Sequence, residues 1–187
     1  MKTLFIDENI KYVGTQLSPH WIYKNFHIMG DAIVAFIGGC DVNLSHMVDI
    51  EDVINNEPIY SKNMLSIIEE NFNSSLVEMV YKQRLLVTIT KELIEKNYPH
   101  VKIRRSGDDL YVNDKKLSVS IATKSITSTL IHFGLNINAE GAPVNAADLS
   151  KDVGVKDVKA FALELLKAYK EETEDISLAA SKVRGVI

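Results

Sequence analysis

A chain of 187 residues, 46% hydrophobic and 25% charged, suits one globular domain with a substantial core, and a single domain over residues 1–187 is expected. The formal net charge of −4 disfavours a nucleic-acid-binding surface over much of the protein, and the single cysteine, Cys40, excludes an intramolecular disulfide or a four-thiolate metal site. No stretch reaches the roughly 18 apolar residues of a membrane span, and Asp7 and Glu8 interrupt the opening where a signal peptide needs an apolar run. The expected compartment is therefore the cytoplasm, with no membrane partner.

The first clear element is the glycine-bounded apolar run "GDAIVAFIGG" (30–39), which predicts a buried strand. Residues 43–64, polar and interrupted by Pro58, predict a surface loop or a short helix, and "NMLSIIEENF" (63–72) fits helix or strand equally by periodicity. A long helix then starts at Ser75, where Ser-Leu-Val-Glu forms a capping box with Glu78. Leu76, Val80, Leu86, Val87, Thr90 and Ile94 stripe one side of it, and Pro99 ends it.

From residue 101 the apolar period becomes two, predicting a three-strand meander. Val101 and Ile103 lead into Leu110-Tyr111-Val112, Asn113-Asp114 turn the chain, and Leu117, Val119 and Ile121 share one face. Lys116, Ser118, Ser120 and Ala122 share the other. The strand at 127–138 sets Ile131, Phe133, Leu135 and Ile137 against His132, Gly134 and Asn136, and a helix spans about 155–172 on Val158, Phe161, Ala162, Leu165 and Leu166. The layout is α+β: an antiparallel sheet with helices packed mainly on one face.

Chemically, the meander gathers the candidates. An ammonium at Lys116 beside the hydroxyls of Ser118 and Ser120 would seat a carboxylate or phosphate. Asp108 and Asp109 would hold a magnesium ion bound to phosphates. Gly134 would let a ligand approach Asn136 closely. His132 shares that face, although a strand histidine also serves as an ordinary core hydrogen-bonding residue. A solvated lysine on a plain hairpin fits the same pattern. His20, His27, His46 and His100 have no metal-ligand spacing, so no metal site is expected.

The stretch "RSGDDLYVNDKKLSVSI" (105–121) resembles the catalytic module of biotin protein ligases, in which Lys-Trp-Pro-Asn-Asp, a strand and a turn precede Lys-Leu/Ile-x-Gly-Ile. "KLSVS" (116–120) is also similar to the Lys-x-Ser-Gly-Ser of lipoate ligases, and "GLN" (134–136) to the Gly-Ile-Asn strand of both. "GDAIVAFIGG", the capped helix and residues 145–172 follow these families in order. The overall likeness is to an uncharacterised prokaryotic family grouped with these ligases and with class II aminoacyl-tRNA synthetases.

That resemblance implies an acyl-activating site. Lys116 and Asp109 would be catalytic, neutralising the carboxylate and positioning magnesium or ligand. Arg105 would meet a phosphate, with Ser118, Ser120, His132, Gly134 and Asn136 binding substrate and the Gly38 and Gly39 amides as further phosphate contacts. Cys40, near the implied pocket, is a candidate nucleophile or a buried thiol.

The departures are equally specific. "GGCDVNLSH" (38–46) has no arginine where the ligases carry a glycine-arginine loop, Ser106-Gly107-Asp108 replaces Trp-Pro-Asn, and Val119 replaces the glycine after the lysine. ATP with magnesium is therefore expected to bind weakly. The expected partner is a small carboxylic-acid ligand, with or without an acceptor protein. Two classes stay open: an acyl-activating ligase or acyltransferase, and a non-catalytic module binding a metabolite or a protein.

Overall fold

The computed structural model describes residues 1–142 and 144–186. The chain opens with β1 (Lys2–Ile6) and the short helix α1 (Trp21–Phe26), neither of which stands out in the sequence, and continues into the expected buried strand, β2 (Ala32–Val42). Helix α2 (Ile50–Asn55) occupies the polar stretch, its start capped by Asp49, which accepts from the Glu51 N–H at 2.8 Å. Directly after Pro58, β3 (Ile59–Asn71) begins, so residues 63–72 are strand. Every residue from Met64 to Asn71 is buried, and burial on both faces removes the alternation that would have marked a strand.

Helix α3 (Leu76–Asn97) starts on the capping box: Ser75 Oγ accepts from the Glu78 N–H at 3.2 Å, and the Glu78 carboxylate accepts from the Ser75 N–H at 2.6 Å. The expected single meander divides into two structures. Strands β4 (Ile103–Ser106), β5 (Asp109–Val112) and β6 (Lys115–Lys116) form a separate small sheet. Strands β7 (Ser118–Lys124) and β8 (Thr129–Asn138) join the main sheet instead. The β5–β6 turn runs through Asn113 and Asp114, both at positive φ, the geometry of a two-residue hairpin loop. A π turn (Leu149–Val153) then leads to the long helix α4 (Val158–Ser181).

The main sheet has the order β1-β2-β3-β8-β7 and is antiparallel except at its edge, where β1 runs parallel to β2. One face is roofed by α3 and α4: Ile33, Leu65, Ile67, Phe133 and Leu135 pack with Leu86, Val87, Ile94, Phe161 and Leu165. Side chains of this kind contribute roughly 1.5–3 kcal/mol each when fully buried. This roof also holds Glu69, fully buried, with its carboxylate accepting from Tyr169 Oη at 2.7 Å and Asn71 Nδ2 at 2.6 Å and lying 3.5 Å from Lys82 Nζ.

The other face is only partly roofed. Val34, Phe36, Met64 and Ile68 meet Tyr12 and Leu17 from the irregular segment after β1 and Ile22 from α1. Among the described residues no helix is long and apolar enough to cross a membrane.

Candidate functional site

On the partly roofed face lies a cavity of about 300 Å³, walled by β7 and β8, the hairpin, the α2 segment and Tyr12 to Leu17. Its size is at the lower end for small-molecule sites. Lys116 enters this cavity from the end of β6, its backbone clamped on its second side by the Asn145 carbonyl (3.0 Å) and the Ala147 N–H (2.9 Å). Its Nζ lies 3.1 Å from Asp109 Oδ2, which also accepts from Tyr111 Oη at 3.3 Å. Burial works against the ammonium, but the Asp109 carboxylate, with Tyr111 and Asp52, more than offsets it and holds its pKa above the ordinary 10.5. Lys116 is thus a charged, half-buried cation at neutral pH.

Around it the wall is acidic. Asp49, Glu51, Asp52 and Glu57 come from the α2 segment and Asp108 and Asp109 from the hairpin, and Lys116 is the only lysine or arginine among the described lining residues. Burial and its neighbour Asp49 push the Asp52 carboxyl up, with Lys116 opposing. Asp108 is engaged already, accepting from Gln83 Nε2 at 2.9 Å and pairing with Arg84 at 3.3 Å. Among the described residues no cluster of three metal-ligating side chains exists.

The expected faces hold on β8 and fail on β7. His132 and Asn136 line the cavity while Ile131, Phe133 and Leu135 point into the helix-covered core. On β7, Val119 and Ile121 line the cavity opposite Gly134 and His132, whereas Ser118, Ser120 and Ala122 stand opposite Leu135, Phe133 and Ile131. The cause is Leu117, which lies between β6 and β7, bonds its backbone to Leu110 and Asn136 and buries its side chain in the helix-covered core next to Ser118. Two consecutive inward residues reverse every side chain that follows. Ser118 and Ser120 still border the cavity, but their hydroxyls are engaged: Ser118 Oγ accepts from the Leu110 N–H at 2.9 Å, and Ser120 Oγ accepts from Gln83 Nε2 at 2.7 Å and donates to Asp108 Oδ2 at 3.0 Å.

Other expected contacts lie elsewhere. Arg105 does not line the cavity; its Nη1 donates to the Gly107 carbonyl at 2.6 Å on the exposed hairpin. Gly38 and Gly39 do not line it either. A Cβ on Gly38 would lie 2.1 Å from the Ile10 carbonyl oxygen, so this glycine admits protein backbone rather than phosphate, whereas the Gly39 carbonyl accepts from the Tyr12 N–H at 2.8 Å. The space over Gly134 is filled by Met64 Sδ, 2.4 Å from a Cβ built there, and by Val119. Cys40 is buried, and burial pushes its thiol up to about 12, which removes the thiolate a nucleophile requires.

Sequence reasoning missed Tyr12. Its backbone is pinned to β2 by hydrogen bonds with Gly39 (2.8 Å) and Asp41 (2.9 Å), and Gln16 closes the following turn by bonding the Val13 N–H and the Lys11 carbonyl. The Tyr12 ring stacks on His132 with centroids 3.6 Å apart and planes 10° from parallel. His132 Nε2 faces Ser66 Oγ at 3.4 Å, and burial lowers its pKa from 6.5 to about 3, so it is neutral. Tyr12 lies in an irregular, charge-flanked segment that carries no periodic signal.

The architecture has known counterparts. A protein of unknown function from Pyrococcus horikoshi superposes with a TM-score of 0.93 at 38% identity over 100% of this chain and 99% of that one. Biotin protein ligase from Aquifex aeolicus, in complex with biotin and ATP, gives 0.58 at 16% identity over 91% and 69% of the two chains. A P. falciparum protein in complex with lipoate gives 0.57 at 15% identity over 93% and 62%. At such identities these two likenesses establish the fold alone. An uncharacterized protein of Methanocaldococcus jannaschii is 36% identical over 192 residues, covering 100% of this chain and 86% of that protein. Residues 1–184 match the family described as a domain of unknown function, DUF366, and the chain belongs to that family.

Proposed function

We propose that the cavity binds a small carboxylic acid, or its activated form, with Lys116 as the cation that receives the carboxylate. The observation that carries this reading is the position of Lys116: a clamped, half-buried ammonium that is the only lysine or arginine among the described residues lining an otherwise acidic and apolar cavity. Desolvated cation–carboxylate hydrogen bonds are among the stronger polar contacts available to a small ligand. Structures of similar fold hold biotin with ATP, or lipoate, which supports an acid as the ligand class. Asp109 would orient Lys116 and exchange part of its pairing when the acid enters.

Whether an acyl-activating step follows divides two versions of this reading. The non-catalytic version is favoured by the cavity's charge: six carboxylates face one lysine, and Arg105, Gly38 and Gly39 do not line it. A triphosphate there would meet repulsion with a single cation to offset it. ATP with magnesium therefore binds weakly on this account, and an acceptor protein belongs only to the ligase or acyltransferase version.

A thermal-shift screen against linear and ring-containing carboxylic acids, with and without magnesium ATP, tests the proposal. Acids should raise the melting temperature of the wild type and not of Lys116→Met. Equal shifts in both proteins would refute the role of Lys116. Acid-dependent pyrophosphate exchange would decide for the activating version.

A further inference from the structure

Helix α4 outlasts the sheet that it covers. Its buried residues end at Tyr169, and from Lys170 to Ser181 roughly three further turns carry no buried side chain. Helices in proteins draw most of their stability from packing an apolar face, so a bare extension of this length has little support of its own. The extension nevertheless keeps the pattern of the packed half. Ala162, Leu166 and Tyr169, spaced by four and then three, are buried in the core. The same alternation continues unbroken through Thr173, Ile176, Ala180 and Val183, and none of these four is buried. Ile176 is 49% exposed and Val183 72% exposed. Alternate spacings of four and three are those by which one helix packs along another.

The charges beside this seam point to its occupant. Glu171, Glu172, Glu174 and Asp175 make the start of the extension acidic, and no lysine or arginine follows before Lys182. Lys182 and Arg184 make its end basic. The acids nearest the body are partly offset: Lys170 and the N-terminal amine lie 3.7 and 3.6 Å from Glu174, and Lys167 lies 3.8 Å from Glu171. We infer that the extension is a dimerisation element, in which the α4 extensions of two copies of this chain pair antiparallel about a two-fold axis. Thr173 then faces the second copy's Val183, and Ile176 faces the second copy's Ala180, a large side chain against a small one. Each basic end lies beside the other copy's acidic run, and the two helix dipoles oppose. A parallel pair would set acid on acid. The two-fold axis uses the same surface twice and closes the assembly at two copies. Helical dihedrals persist to Lys182, so pairing can carry the helix through Val183. The seam is short, which makes the dimer weak and dependent on concentration. It is independent of what the cavity binds.

Sedimentation equilibrium of the full chain over a range of concentrations tests the pairing. The wild type should dimerise, and added salt should weaken the dimer. Ile176→Asp should weaken it roughly tenfold or more, because a carboxylate would be desolvated in the seam. Leu178→Asp, on the opposite side of the helix and 65% exposed, should leave it unchanged. Engineered cysteines read the direction, since the native thiol of Cys40 is buried. Ser177→Cys, beside the axis, should form a disulfide-linked dimer under mild oxidation. Thr173→Cys should not, because antiparallel pairing separates its two copies by about 15 Å along the helices. A mixture of Thr173→Cys and Val183→Cys proteins should cross-link. A wild type that stays monomeric at millimolar concentration, or a dimer untouched by Ile176→Asp, would overturn the dimerisation element. Efficient self-linking of Thr173→Cys would overturn the antiparallel arrangement.

Discussion

The two faces of the main sheet treat buried polarity in opposite ways. Under α3 and α4, Glu69 is fully buried and its carboxylate is met by Tyr169, Asn71 and Lys82. On the other face, Tyr12, His132 and Asn136 are buried too, but they line a cavity. The first arrangement ties β3 to both roofing helices and is complete without a ligand. The second borders open space. The contrast separates a face closed by protein alone from one that borders a cavity.

Titration should show the largest difference. Burial lowers His132 to about 3 from 6.5, so the unfolded chain binds its proton first. The stability conferred by a neutral His132 is fully present above pH 6.5 and is lost as pH falls toward 3. Linkage puts that loss at about 5 kcal/mol across the window. Denaturant unfolding measured from pH 7 to 3 should show this slope in the wild type and lack it in His132→Phe. Identical slopes would mean that burial does not depress the titration of His132.

Glu69 behaves in the reverse sense. Burial, opposed by Lys82, Tyr169 and Asn71, raises its pKa above 4.5. A raised carboxyl favours the fold most below pH 4.5, and its contribution declines as pH climbs past that value. Glu69→Gln should remove that decline. Glu69→Ala, which strands its partners, should cost about 3–5 kcal/mol, and Tyr169→Phe about 1–3 kcal/mol, in urea unfolding at pH 7. A neutral Glu69→Ala would break the contrast between the faces.

Gly38→Ala tests whether that glycine serves backbone contact or a phosphate. The added Cβ meets the Ile10 carbonyl, so a loss of about 1–3 kcal/mol is expected. Unchanged stability with weakened nucleotide binding would restore the phosphate reading. The smallest stability effect is expected at Lys116, whose pair with Asp109 is partly exposed. Lys116→Met should alter unfolding by about 1 kcal/mol or less while abolishing acid-dependent thermal shifts. A large loss of stability would mark Lys116 as structural.

Much of the fold was legible because its signals are local. Ser75, Glu78 and Pro99 bound α3 with side chains that act within a turn of it, and the alternation along β8 assigned both faces. The chain was opaque where tertiary contacts decide. Residues 63–72 lost their alternation because β3 is central and doubly buried. Leu117 reversed β7 through a break that leaves no mark in the pattern. Lys116, His132 and Asn136 lay on recognisable strands, so the cavity's wall was partly readable. Tyr12 reaches it from an irregular segment placed by backbone pairing with β2, and the α2 carboxylates from a short helix set between β2 and β3. Gly38 and Gly39 looked like a ligand loop, because a glycine that admits a carbonyl and one that admits a phosphate read alike.

The central claim is that the cavity of the partly roofed face, rather than the helix-covered face, receives a small acid. A chemical-shift map with a saturating carboxylic acid tests it most directly. The account predicts shifts concentrated at Lys116, Asp109, Val119, His132 and Asn136, with the amides of α3 and α4 unmoved. Shifts centred on α3 and α4, or a map unaltered by Lys116→Met, would contradict it.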